Sequence, residues 1–197
     1  FYTDNLLKTF SDANYYLFDT SERFISLVEG RFKDLNNVKT FNIAISDTDN
    51  EYVDFYELKS ENDDVEGMSS LTKRNVFSKY VYDVKKINTG KLDTFIIDNQ
   101  IDHIDFIKID TEGQELKILV GLRESIKNGI VDFIQIEYGD CSIENGFSLI
   151  DVLTFIDGLD YTLFFYVNNG LIEINNDNYN IYTNLSWANF LIKRNGI

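Results

Sequence analysis

The chain sets carboxylates at the ends of its β-rich runs, where side chains could act on a ligand. Asp19 ends Tyr15–Asp19 (YYLFD), and Ser46 and Asp47 follow Val38–Ile45 (VKTFNIAI). Asp110 ends Asp105–Asp110 (DFIKID), with Thr111, Glu112, Gly113 and Glu115 behind it. Glu137 ends Val131–Glu137 (VDFIQIE), ahead of Gly139, Asp140 and Cys141. A carboxylate accepts two hydroxyl hydrogen bonds, which suits a vicinal diol. An acid at a strand end is equally able to cap the next helix, and for Asp19 both readings stand. In Asp110-Thr111-Glu112-Gly113 two carboxylates share one strand-to-helix turn, so one can cap while the other faces a ligand. A carboxylate within ~2.6–3.2 Å of a hydroxyl proton is a competent general base. Asp110 and Glu112 are the first candidates and Glu137 the third. The same acids could hold Mg²⁺, which takes oxygen ligands. Carboxylates cluster at strand ends without metal too, and no metal ligand is assigned.

Two other reactive types are set aside. His103, the single histidine, precedes the Asp105–Asp110 run and so falls at the opposite end of that strand from Asp110; it reads as structural or solvated. Cys141 has no visible base partner and reads as a free thiol. The Phe164-Phe165-Tyr166 run reads as core and edge packing rather than a stacking platform, and Trp187 likewise reads as core.

These acids need a scaffold, and its pattern is strand–helix–strand. After the first strand, Ser21 and Glu22 start a helix whose Phe24, Ile25, Leu27, Val28 and Phe32 recur at helical spacing. The first strand lacks clean alternation, as expected of one buried on both faces. Tyr52–Leu58 alternates like an edge strand, and 62–74 reads as loop. Leu92–Asp98 is a short helix. Gln114–Lys127 reads as one helix stopped by Gly129, and Phe147–Leu159 as another. Tyr161–Val167, the turn Asn168-Asn169-Gly170 and Leu171–Ile174 form a hairpin, and Trp187–Lys193 is a last strand. The alternation predicts an α/β domain with a mostly parallel sheet and an antiparallel C-terminal edge. In such sheets ligands bind beyond the carboxyl ends of the strands.

Composition narrows the partners. The 197 residues fit one domain. Apolar residues are 44% and charged residues 26%, a globular balance. One cysteine permits no internal disulfide, and there is no proline. Thirty-three acids against 18 bases give a net charge of −15, which repels phosphate backbones and anionic membrane surfaces. Nucleic-acid and membrane partners are therefore not expected. No apolar run approaches the ~18 residues of a membrane helix, and no export signal is visible; a cytoplasmic location is expected. Oligomeric state is not legible.

The run Phe106-Ile107-Lys108-Ile109-Asp110-Thr111-Glu112-Gly113-Gln114-Glu115, with Leu119 and Gly121 behind it, resembles the signature of FkbM-type methyltransferases. Further segments resemble the family in its order: Tyr16-Leu17-Phe18-Asp19-Thr20, Asn42-Ile43-Ala44-Ile45-Ser46-Asp47, Gly67-Met68-Ser69-Ser70-Leu71, Lys91-Leu92-Asp93-Thr94-Phe95 and Ile134-Gln135-Ile136-Glu137. The resemblance implies a Rossmann-like class I fold with helices on both faces. It implies S-adenosylmethionine as cofactor and O-methylation of a sugar, glycan or other small hydroxylated metabolite. Asp19 would then hold the cofactor's ribose with Thr20 beside it, and Ala44 and Ile45 would lie near the adenine. Asp110 would face the methionine end or the acceptor, with Glu112 and Glu137 lining the acceptor side.

One family feature is missing. Its first strand and Gly-rich turn, of the type Asp-x-Gly-Ala-Asn-x-Gly, have no counterpart here. Phe1–Phe10 resembles the helix that follows that turn, so the expectation is that the motif lies upstream. The alternative is a degenerate, non-catalytic methyltransferase-like module that binds a partner within a larger protein. A dinucleotide binder is disfavoured, because no Gly-x-Gly-x-x-Gly occurs.

Overall fold

The computed structural model describes residues 2–59, 69–73, 81–183 and 187–197. Gly67 and Met68 of the Ser-containing loop, and most of the 62–74 loop, lie outside the described residues. The fold is mixed α/β, in two compact units, 1–44 and 45–197.

The first unit runs α1 (Tyr2–Thr9), β1 (Tyr15–Asp19), α2 (Glu22–Phe32) and β2 (Val38–Asn42). β1 and β2 pair in parallel from Tyr15↔Val38 to Asp19↔Asn42. The register sets Phe18 opposite Phe41, and their rings stack 5.2 Å apart. Ser21 caps α2 by accepting the Phe24 N–H at 3.3 Å. Ile25, Val28 and Phe32 form the buried stripe of α2. Every residue of β1 is half-buried, not buried on both faces as expected. Among the described residues β1 pairs with β2 alone.

The second unit is built on β6 (Ile104–Ile109), β7 (Val131–Gly139), β8 (Tyr161–Val167), β9 (Gly170–Ile174) and β10 (Trp187–Arg194), in the order β6-β7-β10-β8-β9. A smaller sheet orders β3 (Ala44–Ile45), β5 (Val81–Gly90) and β4 (Tyr52–Lys59). The unit's helices are α3 (Leu92–Asp98), α4 (Glu115–Gly121), α5 (Arg123–Lys127), α6 (Asp140–Glu144) and α7 (Leu149–Ile156), with a 3-10 turn at Tyr179–Ile181. Leu119, Ile134, Ile136, Leu149, Leu163 and Phe190 are fully buried and form the core of this unit. No helix among the described residues is long and apolar enough to cross a membrane.

The expectation of a mostly parallel sheet needs correction. β1 with β2 and β6 with β7 are parallel. β10 enters between β7 and β8 and is antiparallel to both, and β8 with β9 and β4 with β5 are antiparallel too. The hairpin forms as expected, with a two-residue loop closing Val167↔Gly170.

The helix expected over Gln114–Lys127 breaks at Leu122. Both Asp93 oxygens explain the break. They accept the N–H groups of Glu124 at 3.0 Å and Ser125 at 2.9 Å, and the Ser125 hydroxyl at 2.6 Å. Amides bonded this way form a fresh helix N-terminus.

Candidate functional site

The parallel register of β6 on β7 matches Ile109 with Ile136. The next residue on each strand is an acid, so Asp110 and Glu137 come side by side at the carboxyl ends. Glu137 is buried, at 6% exposure, and shares a hydrogen bond with Asp110. Its carboxyl is pushed up to about 7 by burial and by the charge of Asp110, with a smaller push from Glu112. The indole N–H of Trp187, donated to Glu137 Oε1, acts in the opposite direction. The Lys108 amine pairs with Asp110 Oδ2.

Glu112 reaches this cluster because the chain reverses sharply. Its φ is 55°, and that of Gly113 is 103°. A non-glycine residue in the left-handed region is strained by ~1–2 kcal/mol, so something must hold it. Glu115 does so from beneath the turn. Its Oε1 accepts the N–H of Thr111 at 2.9 Å, the Thr111 hydroxyl at 3.1 Å and the N–H of Gly113 at 3.3 Å. Glu115 is fully buried and burial raises its pKa, while Oε2 finds no partner among the described residues. A Cβ on Gly113 would lie 2.1 Å from Asn145 Nδ2 and 2.7 Å from the Cys141 carbonyl. Only glycine lets α6 approach the turn this closely. Asn145 Oδ1 in turn accepts from Gln114 Nε2 at 3.1 Å and from the Thr72 hydroxyl at 2.5 Å.

The structure thus brings together Asp110, Glu112 and Glu137. Asp19 belongs to the first unit. One of its oxygens accepts the Ser21 N–H at 2.7 Å, and the Thr20 N–H also bonds its carboxylate. Burial nevertheless raises its pKa. Thr20 is half-buried. Ala44 is buried at 2% exposure and Ile45 is half-buried. The Ala44 methyl is therefore enclosed, which leaves its backbone as the part able to meet a ligand.

Trp187, expected in the core, is 74% exposed. It heads β10, where Trp187↔Gly139 and Asn189↔Glu137 set it diagonally across from Glu137. The hydrophobic count of the last strand hid this. Phe190, Leu191 and Ile192 are buried in the middle of β10, while Trp187 heads the strand where only β7 pairs with it. Cys141 is buried and free of disulfide. His103 Nε2 lies 3.3 Å from Asp132 Oδ2 and 3.7 Å from Asp105 Oδ1. These three residues offer ligand atoms within 4.8 Å of one another. The Arg194 Nε–H donates to the other Asp132 oxygen at 3.0 Å, and a structural ion-pair network accounts for the group.

Residues 11–163 match the methyltransferase FkbM domain, and the chain belongs to that family. The crystal structure of methyltransferase FkbM from Methylobacillus flagellatus KT, at 2.20 Å resolution, superposes with a TM-score of 0.57 at 15% sequence identity. The superposition covers 98% of this chain and 40% of that one, so this chain spans about two fifths of its neighbour's length. At that identity the likeness is one of fold. No curated protein matches the chain.

Proposed function

We propose that this chain belongs to an S-adenosylmethionine-dependent methyltransferase that methylates a hydroxyl of a sugar, glycan or other small hydroxylated metabolite. The observation that carries the reading is Glu137, a buried carboxyl held near 7 beside Asp110 and Glu112. A base is most useful when its pKa lies near the working pH. Glu137 would take the proton of the acceptor hydroxyl, and Asp110, fixed by Lys108, would orient the acceptor and share that proton.

The residues present fit the cofactor at one point. Asp19 keeps acceptor capacity beyond its Ser21 and Thr20 bonds, enough for the two hydroxyls of a ribose. When bound, S-adenosylmethionine supplies an electrophilic methyl group on a sulfonium. The protein's task is then to align the acceptor oxygen, and alignment is worth up to ~7–11 kcal/mol of a barrier.

Calorimetric titration of S-adenosylhomocysteine tests the cofactor reading. Saturable binding that weakens in Asp19→Ala is the expected result. Absence of heat at high ligand would remove the cofactor from this chain.

A further inference from the structure

We infer that Trp187 is the stacking platform of the acceptor site, and that the acceptor it selects is a neutral sugar ring without a phosphate. This rests on the acceptor reading of the same three acids and adds to it a residue and a discrimination. Trp187 is the chain's single tryptophan. Its polar edge is turned inward, with the N–H given to Glu137, while the residue stays 74% exposed. A scattered exposed apolar side chain needs no explanation. Here, however, the indole is anchored by its one donor to the proposed base, which fixes the ring face beside the carboxylates. An aromatic face takes the apolar face of a ring, and adjacent carboxylates accept that ring's hydroxyl hydrogens. A few placed polar groups beside an apolar surface are the usual make-up of a small-molecule site.

Charge sets the discrimination. Asp110 lies beside Glu137, the charge of Glu112 is felt there too, and the nearby Lys108 amine is already paired with Asp110. A phosphate or nucleotide would meet like charge at close range, a repulsive element that excludes it. A neutral ring meets no such penalty.

The test uses Trp187 as its own reporter. Methyl glycosides of glucose, galactose, rhamnose and N-acetylglucosamine are titrated while tryptophan emission is followed, with glucose 6-phosphate and choline in parallel. At least one neutral glycoside is expected to shift the emission saturably, and glucose 6-phosphate is not. Calorimetry with the responding glycoside should show affinity about tenfold or more weaker in Trp187→Ala, as for a truncated aromatic hot spot. Trp187→Phe, which keeps a ring face but gives up the N–H that anchors it, should fall between wild type and Trp187→Ala. Unchanged affinity in Trp187→Ala, silence across all four glycosides, or a response to glucose 6-phosphate or to choline alone would overturn the inference. Glycoside binding needs no cofactor, so it and S-adenosylhomocysteine binding can fail separately. Homologue binding with silent glycosides defeats only the platform, whereas Trp187-dependent glycoside binding without homologue binding defeats only the cofactor.

Discussion

Glu115 accepts the backbone N–H of Thr111 at 2.9 Å, and through that bond a buried carboxylate fixes the turn between Asp110 and Glu112. The same oxygen takes the Gly113 N–H, so both ends of the reversal carrying Glu112 are tied to one buried carboxylate. Glu115→Ala would leave two amides without this partner. An unsatisfied buried donor costs ~1–3 kcal/mol. The expected outcome is a loss of roughly 2–4 kcal/mol in denaturant unfolding, together with weakened acceptor binding. Glu115→Gln keeps an acceptor oxygen and should fall well short of that loss. Equal losses in the two variants would show that the side chain only fills space.

The proposed base predicts a pH response readable without a substrate. Trp187 donates to Glu137, so its emission should titrate with an inflection at about 7. Asp110→Asn removes the neighbouring charge that raises the Glu137 carboxyl, and the inflection should move to lower pH. Glu137→Gln should abolish it. A wild-type inflection that survives Glu137→Gln would mean the indole reports another group.

How much of this was legible in the sequence differs between strand interior and strand end. Strands β6 and β7 could be read because their short β-rich runs repeat one spacing, Phe106, Ile107 and Ile109 against Phe133, Ile134 and Ile136, and Asp110 and Glu137 follow from counting to the ends of those runs. β5 gave no such signal. Its Val81–Gly90 stretch mixes Asp83, Lys85 and Lys86 into a strand without an apolar period, and two of its cross-strand contacts are ionic, Lys86 with Asp54 at 2.7 Å and Lys85 with Glu57 at 2.7 Å. The break at Leu122 was hidden because the apolar period continues through it. The Asp93 carboxylate that causes it comes from some thirty residues upstream. Trp187 was misread because hydrophobicity says that a residue tends to be buried, not that its end of β10 runs past β8, which pairs only from Phe190 onward.

Linkage makes Glu137 a residue that costs stability. Its folded value of about 7 exceeds the ordinary 4.5. Its contribution is therefore fully present below about 4.5 and is lost as pH rises through about 7. Glu137→Gln should escape that loss. At pH 8 the variant should be more stable than wild type, by an amount on the order of 1–3 kcal/mol. At pH 4 the two should coincide. Unfolding curves at both pH values check this, and a variant less stable at pH 8 would show that ionised Glu137 is favoured by the fold.

Two helical glycines should respond with opposite signs to the same substitution. Gly121 sits in α4 where a Cβ would lie 2.1 Å from the Ser46 carbonyl oxygen and 3.0 Å from its carbon. Both atoms are backbone, so neither can swing aside as a side chain would. α4 would have to move off the 46–47 segment, and overpacking of this kind costs ~1–3 kcal/mol. Alanine recovers up to ~1 kcal/mol of helix propensity, which is too little to offset the larger values. Gly30 in α2 has nothing within 4 Å of its would-be Cβ and no left-handed backbone. There alanine contributes its propensity unopposed, about 0.5–1 kcal/mol. Thermal unfolding should therefore show Gly121→Ala melting lower than wild type and Gly30→Ala melting slightly higher. A neutral Gly121→Ala would mean that α4 does not press on Ser46, and the glycine behind the acidic turn would then have no packing reason to be there.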